Sequence, residues 1–280
     1  MRRHRTGQGV RFIAVFWLAL VASGCANLGA IREFASTSSD AAQYSQLVGG
    51  YVGTPTRLVR YEPESQRPVL VRQAAERKAQ EEPLLLRQRL IQGYMDALGQ
   101  LAADGLPTYD KQLDGLGSAL QAGKFADQNE ATALAAVSKL LATAVTDHWR
   151  QGKLVTLIEQ TDGPFQIVVG ALVVIVETGF GGDIANEREG LNKYYTELQR
   201  TGRDPAGLAA LAEWREMREG QIKDHEEAIR NYVVVLKTIA AGHHKLFESR
   251  HQLSKAEVQA EIHQYTSRLK EAVAAIRSFY

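Results

Sequence analysis

The sequence predicts an all-α protein, folded as an elongated antiparallel helical bundle with coiled-coil-like seams. Apolar residues recur at alternating steps of three and four over long stretches, capping sequences precede several of these stretches, and glycine or proline separates them. With 45% hydrophobic and 23% charged residues, the composition is that of an ordinary globular chain. We therefore expect helices that bury one face against each other.

The first predicted element is a helix within residues 27–62. Its apolar positions are Ile31, Phe34, Tyr44, Leu47 and Tyr51. Three prolines follow, at positions 55, 63 and 68, and prolines disfavour a continuing helix. Residues 25–68 are accordingly predicted to form a tether-side helix and a linker, and residues 69–280 the bundle domain.

The bundle domain begins with a long predicted helix over residues 69–104, interrupted or restarted at Pro83. The sequence Gly105-Leu106-Pro107 ends it, because the residue before a proline avoids helical geometry. A shorter helix continues to about Gln121 and closes at Gly123.

Capping sequences set the start of three later helices. Asp127-x-x-Glu130 and Ser254-x-x-Glu257 resemble capping boxes, and Asp204 precedes a proline at a first helical position. Two of these helices carry heptad seams, which keep apolar side chains against a partner helix. The seam residues are Ile222, Ile229, Tyr232, Leu236, Ile239 and Leu246 in one, and Val258, Ile262, Tyr265, Leu269, Ala272, Ile276 and Phe279 in the other. Such seams are also compatible with homo-oligomers.

The segment 167–176 (IVVGALVVIV) has no polar side chain. A helix that is apolar all round is buried in protein or in lipid, and ten residues are too few to span a bilayer. A central bundle helix is the first interpretation. The β-branched residues also allow a short β-hairpin, and a membrane-inserting element like that of helical pore-forming toxins is a third alternative.

The N-terminal segment has the features of an export signal. Four arginines stand within the first 11 positions, the apolar run Phe12–Ala22 follows, and Ser23-Gly24 precede Cys25, the single cysteine of the chain. This segment resembles a bacterial prolipoprotein signal peptide, with Ala22 where leucine is usual in the family. A plain secretory signal shares most of these features, whereas a transmembrane anchor needs about 20 apolar residues.

The resemblance implies that residues 1–24 are removed and that Cys25 carries the lipid. Because alanine rather than aspartate follows the cysteine, the resemblance also implies the outer membrane, and we expect the protein to face the periplasm. Stable attachment requires more than one acyl chain. The rest of the chain contains no thiol, which excludes disulfides and cysteine nucleophiles there.

The charge of the predicted mature chain is nearly balanced. Removing four of the 33 basic residues leaves 29 against 32 acidic ones, a net charge of −3. Because phosphate-backbone binding depends on an excess of Lys and Arg, we expect no nucleic-acid partner.

Four residues occupy, or extend, seam positions where an apolar residue is expected: His148, Glu187, His225 and His243. If the bundle brought His148, Glu187 and another histidine to one level, they could bind a divalent metal. Hydrogen-bonded seam residues without a metal are the stronger interpretation. His225 and His243 lie about 27 Å apart along one helix, so they cannot share an ion.

The chain lacks the zinc-protease sequence H-E-x-x-H, a complete phosphate-binding loop and the serine elbow G-x-S-x-G. We therefore expect no enzyme and no cofactor. The predicted function is that of an outer-membrane lipoprotein acting as a structural or interaction module, whose partner is an envelope protein or peptidoglycan. The alternatives are a binding protein for a lipid or other apolar ligand in the bundle core, and a membrane-perturbing protein using residues 165–180.

Overall fold

The computed structural model describes residues 28–279, and within that range it contains helices and turns but no strand. The α-helices are α1 Gly29–Ala42, α2 Ser45–Leu58, α3 Arg67–Ala102, α4 Leu116–Ala122, α5 Gln128–Thr146, α6 Leu154–Val174, α7 Gly181–Thr201, α8 Pro205–Glu248 and α9 Ala256–Arg277. One π-helical turn, Ile175–Phe180, joins α6 to α7 without a break. The predicted all-α helical bundle is confirmed.

Helix α8 contacts the N-terminal helices α1 and α2 at successive levels along its length. Phe34 of α1 packs so closely on Gly242 that a Cβ there would lie 2.4 Å from its ring. The Tyr232 hydroxyl donates to the carbonyl of Ala42 at 2.6 Å. Along the same direction, Arg57 of α2 reaches Glu187 of α7. Later residues of α1 and α2 thus contact earlier residues of α8, so α8 runs antiparallel to the two N-terminal helices.

Residues 28–58, within the segment predicted as tether-side helix and linker, form two helices rather than one. Ile31, Phe34 and Ala35 of α1 are fully buried, and Val48 of α2 is 1% exposed. These side chains belong to the same hydrophobic core as those of α3, α6 and α8. Pro55 lies inside α2, where it is buried.

The predicted interruption at Pro83 is wrong, because α3 continues through it. A proline inside a helix removes one backbone hydrogen bond. Here Leu84 and Arg87, on the following turn, are 3% and 1% exposed. Arg87 also donates to the carbonyl of Pro83 at 3.1 Å. Tertiary packing around this turn offsets the lost bond.

Two of the three predicted caps are confirmed. Asp127 accepts from the backbone N–H of Glu130 at 2.8 Å, and Asp204 accepts from that of Gly207 at 2.7 Å. The Glu130 side chain does not close the capping box, because it pairs with the buried guanidinium of Arg87 at 2.6 Å. The cap predicted at Ser254 is wrong: α9 begins at Ala256 without a side-chain cap.

The apolar segment 167–176 is helical and packs one face into the core, so the hairpin interpretation is wrong. Val168, Val169, Leu172 and Val176 are at most 1% exposed. Val174 points outward and is 57% exposed. Both predicted seams are buried within this chain, with Ile229, Tyr265 and Phe279 only partly buried. Packing inside one chain thus accounts for the heptad pattern.

Candidate functional site

The π-helical turn Ile175–Phe180 marks the region where α2, α7 and α8 meet. A π turn widens the helix by one residue and is frequent at functional sites. Phe180 is buried by the turn, and the Tyr51 ring stacks on it with centroids 4.4 Å apart. The guanidinium of Arg77 covers the same tyrosine, 4.6 Å from its centroid. On the outer side, Lys237 pairs with Glu177 at 2.5 Å.

A cleft of about 380 Å³ opens beside this turn, between α7 and α8. Its apolar wall is formed by Ile184, Ile229 and Val233, and Arg188 and Glu226 pair across it. Such a cleft has the size of a small-ligand site, with an apolar wall and a charged rim.

Glu187 is held by Arg57 in a bidentate ion pair. Arg57 Nε lies 2.8 and 3.0 Å from the two carboxylate oxygens, and Nη2 lies 2.8 Å from Oε2. Arg57 also donates to the carbonyl of Gly50 and the hydroxyl of Thr54, each at 2.9 Å. Glu187 is only 5% exposed, so the prediction that it lies on a seam is confirmed. Its oxygens are committed to the guanidinium.

His225 borders the same ion pair and lines a second cavity of about 50 Å³. Burial, followed by the nearby charge of Arg57, lowers the pKa of His225 below its usual 6.5. The imidazole is therefore neutral at pH 7. It sits between the apolar seam of α8 and the charged end of α2.

His243 lies in the closed part of the core. Its Nδ1 is 3.1 Å from Asp162 Oδ1, and its Nε2 is 2.5 Å from the Tyr94 hydroxyl, which is 2.7 Å from Thr161. The other Asp162 oxygen is 2.9 Å from His244 Nδ1. His243, Tyr94 and Thr161 are at most 1% exposed. The side chains form a satisfied hydrogen-bond network rather than an open site.

Protonation states follow from these contacts. Burial lowers the pKa of His243, although its hydrogen bond to Asp162 opposes the shift. Burial raises the pKa of Asp162, but hydrogen bonds from His243 and His244 outweigh it and bring the net value below 3.8. Burial also raises the pKa of Tyr94. Neutral His243 thus donates from Nδ1 to the carboxylate and accepts at Nε2 from the phenol.

The prediction that His148 continues a seam is wrong. Helix α5 ends at Thr146, and His148 follows it in the left-handed region, with φ of 52°. The N–H of Trp149 returns to the carbonyl of Ala144 at 2.9 Å, as in a helix-terminating Schellman turn. Sequence reasoning missed this end because glycine or asparagine usually occupies such a position. His148 is consequently exposed.

Of the four metal candidates, the structure brings together Glu187 and His225 alone. His243 is enclosed in its own network and His148 lies on the surface. Among residues 28–279, no group of three or more His, Cys, Asp or Glu side chains could hold a metal ion. Cys25, the predicted lipid attachment residue, lies outside the described residues.

Sequence reasoning missed Arg57, Tyr94 and Asp162. Asp162 was detectable, because it stands four residues after Ile158 on the buried face of α6. Arg57 and Tyr94 had no such signal: the position of a partner on another helix gives each its role.

Within the described residues, one helix is long and apolar enough to cross a membrane, the continuous stretch 151–201. Its most apolar window has a mean hydropathy of 1.9, and 39% of that window is buried in the protein. The core helices of water-soluble proteins can be equally long and equally apolar, so length and hydropathy do not distinguish the two cases.

Comparison with known protein families, with curated proteins and with solved structures gives no match for this chain.

Proposed function

We propose that this protein is a non-enzymatic lipoprotein of the outer membrane that holds an interaction surface away from the membrane. The observation that carries the proposal is the placement of the two ends of the bundle: the start of α1 lies at one end, and a helical hairpin with exposed aromatic and apolar side chains lies at the other.

The first end is tied to the body directly. The backbone N–H of Ala30 donates to Gln259 Oε1 of α9 at 2.9 Å, and Leu28 is 5% exposed. Cys25 stands three residues before Leu28, and three extended residues reach at most about 11 Å. If Cys25 carries lipid, this end of the bundle rests close to the membrane surface.

The other end is the hairpin of α7 and α8, beyond Leu191 and Ile222. No residue from 196 to 221 in the described structure is buried. Trp214 and Met217 are 56% and 51% exposed. From Gly242, which contacts Phe34 near the first end, α8 extends about 55 Å to Pro205. Exposed aromatic and methionine side chains are typical of protein interfaces.

The proposed partner is therefore an envelope protein or peptidoglycan, met by the hairpin at a distance from the membrane. The test is crosslinking in intact cells, with a photo-reactive residue at position 217 of the full chain. We expect one dominant partner, in near-equal amount. Cys25→Ala should release the protein from the membrane pellet and reduce that crosslink. Trp214→Ala should remove it.

The matched control is Val71→Ala, which truncates an apolar residue that is 62% exposed on α3, outside the hairpin. This variant should keep the crosslink. Retention of Cys25→Ala in the membrane pellet would refute lipidation. An unchanged crosslink in Trp214→Ala would refute the hairpin as the contact surface.

The cleft of about 380 Å³ favours a second candidate function, binding of a lipid or other apolar ligand. The ligand would then contact the wall formed by Ile184 and Ile229, rather than the interior of the bundle core that the sequence indicated. Mass spectrometry of organic extracts from purified protein tests it. A lipid recovered with wild type and lost in Ile229→Trp, which fills the cleft, would support it. Equal recovery from both would refute it.

A further inference from the structure

Three arginines from two elements converge on the 50 Å³ cavity beside Glu187. Arg57 and Arg60 belong to the end of α2 and the turn after it, and Arg218 belongs to α8. Tyr61 and Gln221 line the same space. The cavity volume is about four times the ~10–15 Å³ that one water requires. A small charged group fits, whereas a whole organic ligand does not.

The residues that line this cavity carry more positive than negative charge. Glu187 is the one carboxylate in its lining, and both of its oxygens bind Arg57. In the described part of the chain, neither Arg60 nor Arg218 forms an ion pair with a carboxylate. Arg218 donates to Gln221 Oε1 at 2.8 Å, which leaves its other N–H groups available. The lining side chains therefore carry three positive charges, from Arg57, Arg60 and Arg218, against one negative charge, from Glu187.

The surroundings strengthen this charge. Leu191 and Ile222 are 0% and 4% exposed and form the apolar wall of the cavity. Charges beside such a wall interact more strongly than charges in bulk water. Arg57, fixed by Glu187, Gly50 and Thr54, cannot turn away to solvent. Arg60 itself is exposed, so an ion can enter from its side.

We propose that this cavity is a binding site for a phosphate group. Guanidinium groups bind phosphate through paired N–H donors, and phosphate has enough oxygens to receive Arg60 and Arg218 at once. The Tyr61 hydroxyl supplies a further donor. The site does not depend on the proposed anchor or partner, since its residues all lie within the described body.

The experiment is thermal unfolding of the full chain in a neutral detergent, titrated with inorganic phosphate against chloride at equal ionic strength. A ligand that binds the folded state raises Tm in a saturable manner. We expect phosphate to do so for wild type, and Arg60→Gln/Arg218→Gln to weaken the apparent affinity at least about tenfold. Arg72→Gln/Arg203→Gln removes the same charge from two exposed arginines elsewhere and should leave it unchanged.

Arg218→Lys provides a second variant that keeps the charge but loses the planar fork, and it should bind phosphate with intermediate affinity. Circular dichroism without phosphate confirms that each variant is folded. A Tm rise in Arg60→Gln/Arg218→Gln equal to that of wild type would overturn the site. No rise above chloride, or an equal rise with acetate, would overturn it as well.

Vesicles distinguish the source of the phosphate. Binding to phosphatidylcholine vesicles that contain phosphatidylglycerol, lost in Arg60→Gln/Arg218→Gln but not in the control pair, identifies a lipid headgroup. Stabilisation by inorganic phosphate without such vesicle binding identifies a soluble phosphate. Either result supports the site.

Discussion

His225 and His243 stand on the same helix and interrupt the same apolar seam, yet their environments differ. His243 is 0% exposed, and both of its ring nitrogens have partners inside the protein. His225 borders a cavity and the ion pair of Arg57 with Glu187. Polar groups enclosed in a core are satisfied internally, whereas those at a cavity can serve a ligand. The open region is therefore the candidate for function, and the closed region for stability.

Two bidentate ion pairs extend this comparison, and they give the largest expected effect. Glu130→Leu leaves Arg87, whose side chain is 1% exposed, without a counter-charge and should cost about 3–5 kcal/mol. Glu187→Leu should cost less than half as much, because the Arg57 side chain is 34% exposed and water can reach it. Urea unfolding at 25 °C measures both changes.

The control for this pair is Arg87→Met combined with Glu130→Leu, which removes both charges. It should recover most of the stability lost in Glu130→Leu. Equal losses in the two single variants would show that the open and closed pairs do not differ in this way.

Two tyrosines give the next effect in size. Tyr94→Phe removes the donor to His243 Nε2 and should lower the free energy of unfolding by about 1–2 kcal/mol. Tyr61→Phe, at the open cavity, should change it by less than about 0.5 kcal/mol. Thermal unfolding of the two variants tests the difference. A larger loss from Tyr61→Phe would reverse the assignment of the two regions.

The pH dependence of stability should also separate the histidines. The folded-state pKa of each lies below 6.5, so the unfolded chain takes up protons first as the pH falls. Stability is fully present above pH 6.5 and declines below it. Because His243 is enclosed and His225 only half-buried, His243→Gln should flatten this decline more than His225→Gln.

Urea unfolding at pH 7.5, 6.0 and 5.0 measures that decline. Asp162 adds a second loss at lower pH, since its lowered pKa contributes stability that disappears as the pH falls below 3.8. An unchanged slope between pH 6.5 and 5 in His243→Gln would contradict the neutral state assigned to this residue.

The smallest expected effect on stability belongs to the hairpin. Trp214→Ala combined with Met217→Ala removes two exposed side chains and should change the free energy of unfolding by less than about 0.5 kcal/mol. Thermal unfolding checks this directly. A loss above 1 kcal/mol would mean that these side chains support the fold, so that they could not serve as a free contact surface.

The fold class, the caps at Asp127 and Asp204 and both heptad seams could be predicted from the sequence. They depend on interactions within one turn of helix or on the repeat of apolar residues, and both are visible in a linear chain. The helix through Pro83 and the end of α5 before His148 could not. In the first, distant packing outweighs a local preference. In the second, a non-glycine residue adopts a left-handed conformation.

The sequence by itself determined that this chain forms helices with buried seams, and that Glu187, His225 and His243 interrupt them. The tertiary structure alone decided what these residues do. The register between α8 and its neighbours places His243 against Tyr94 and Asp162, and His225 against Arg57 and Glu187. That register depends on side chains far apart in the chain, such as His243 and Tyr94 at a separation of 149 positions, and no local pattern encodes their pairing. The same residue type therefore becomes part of a closed core at one level and of a candidate binding site at another.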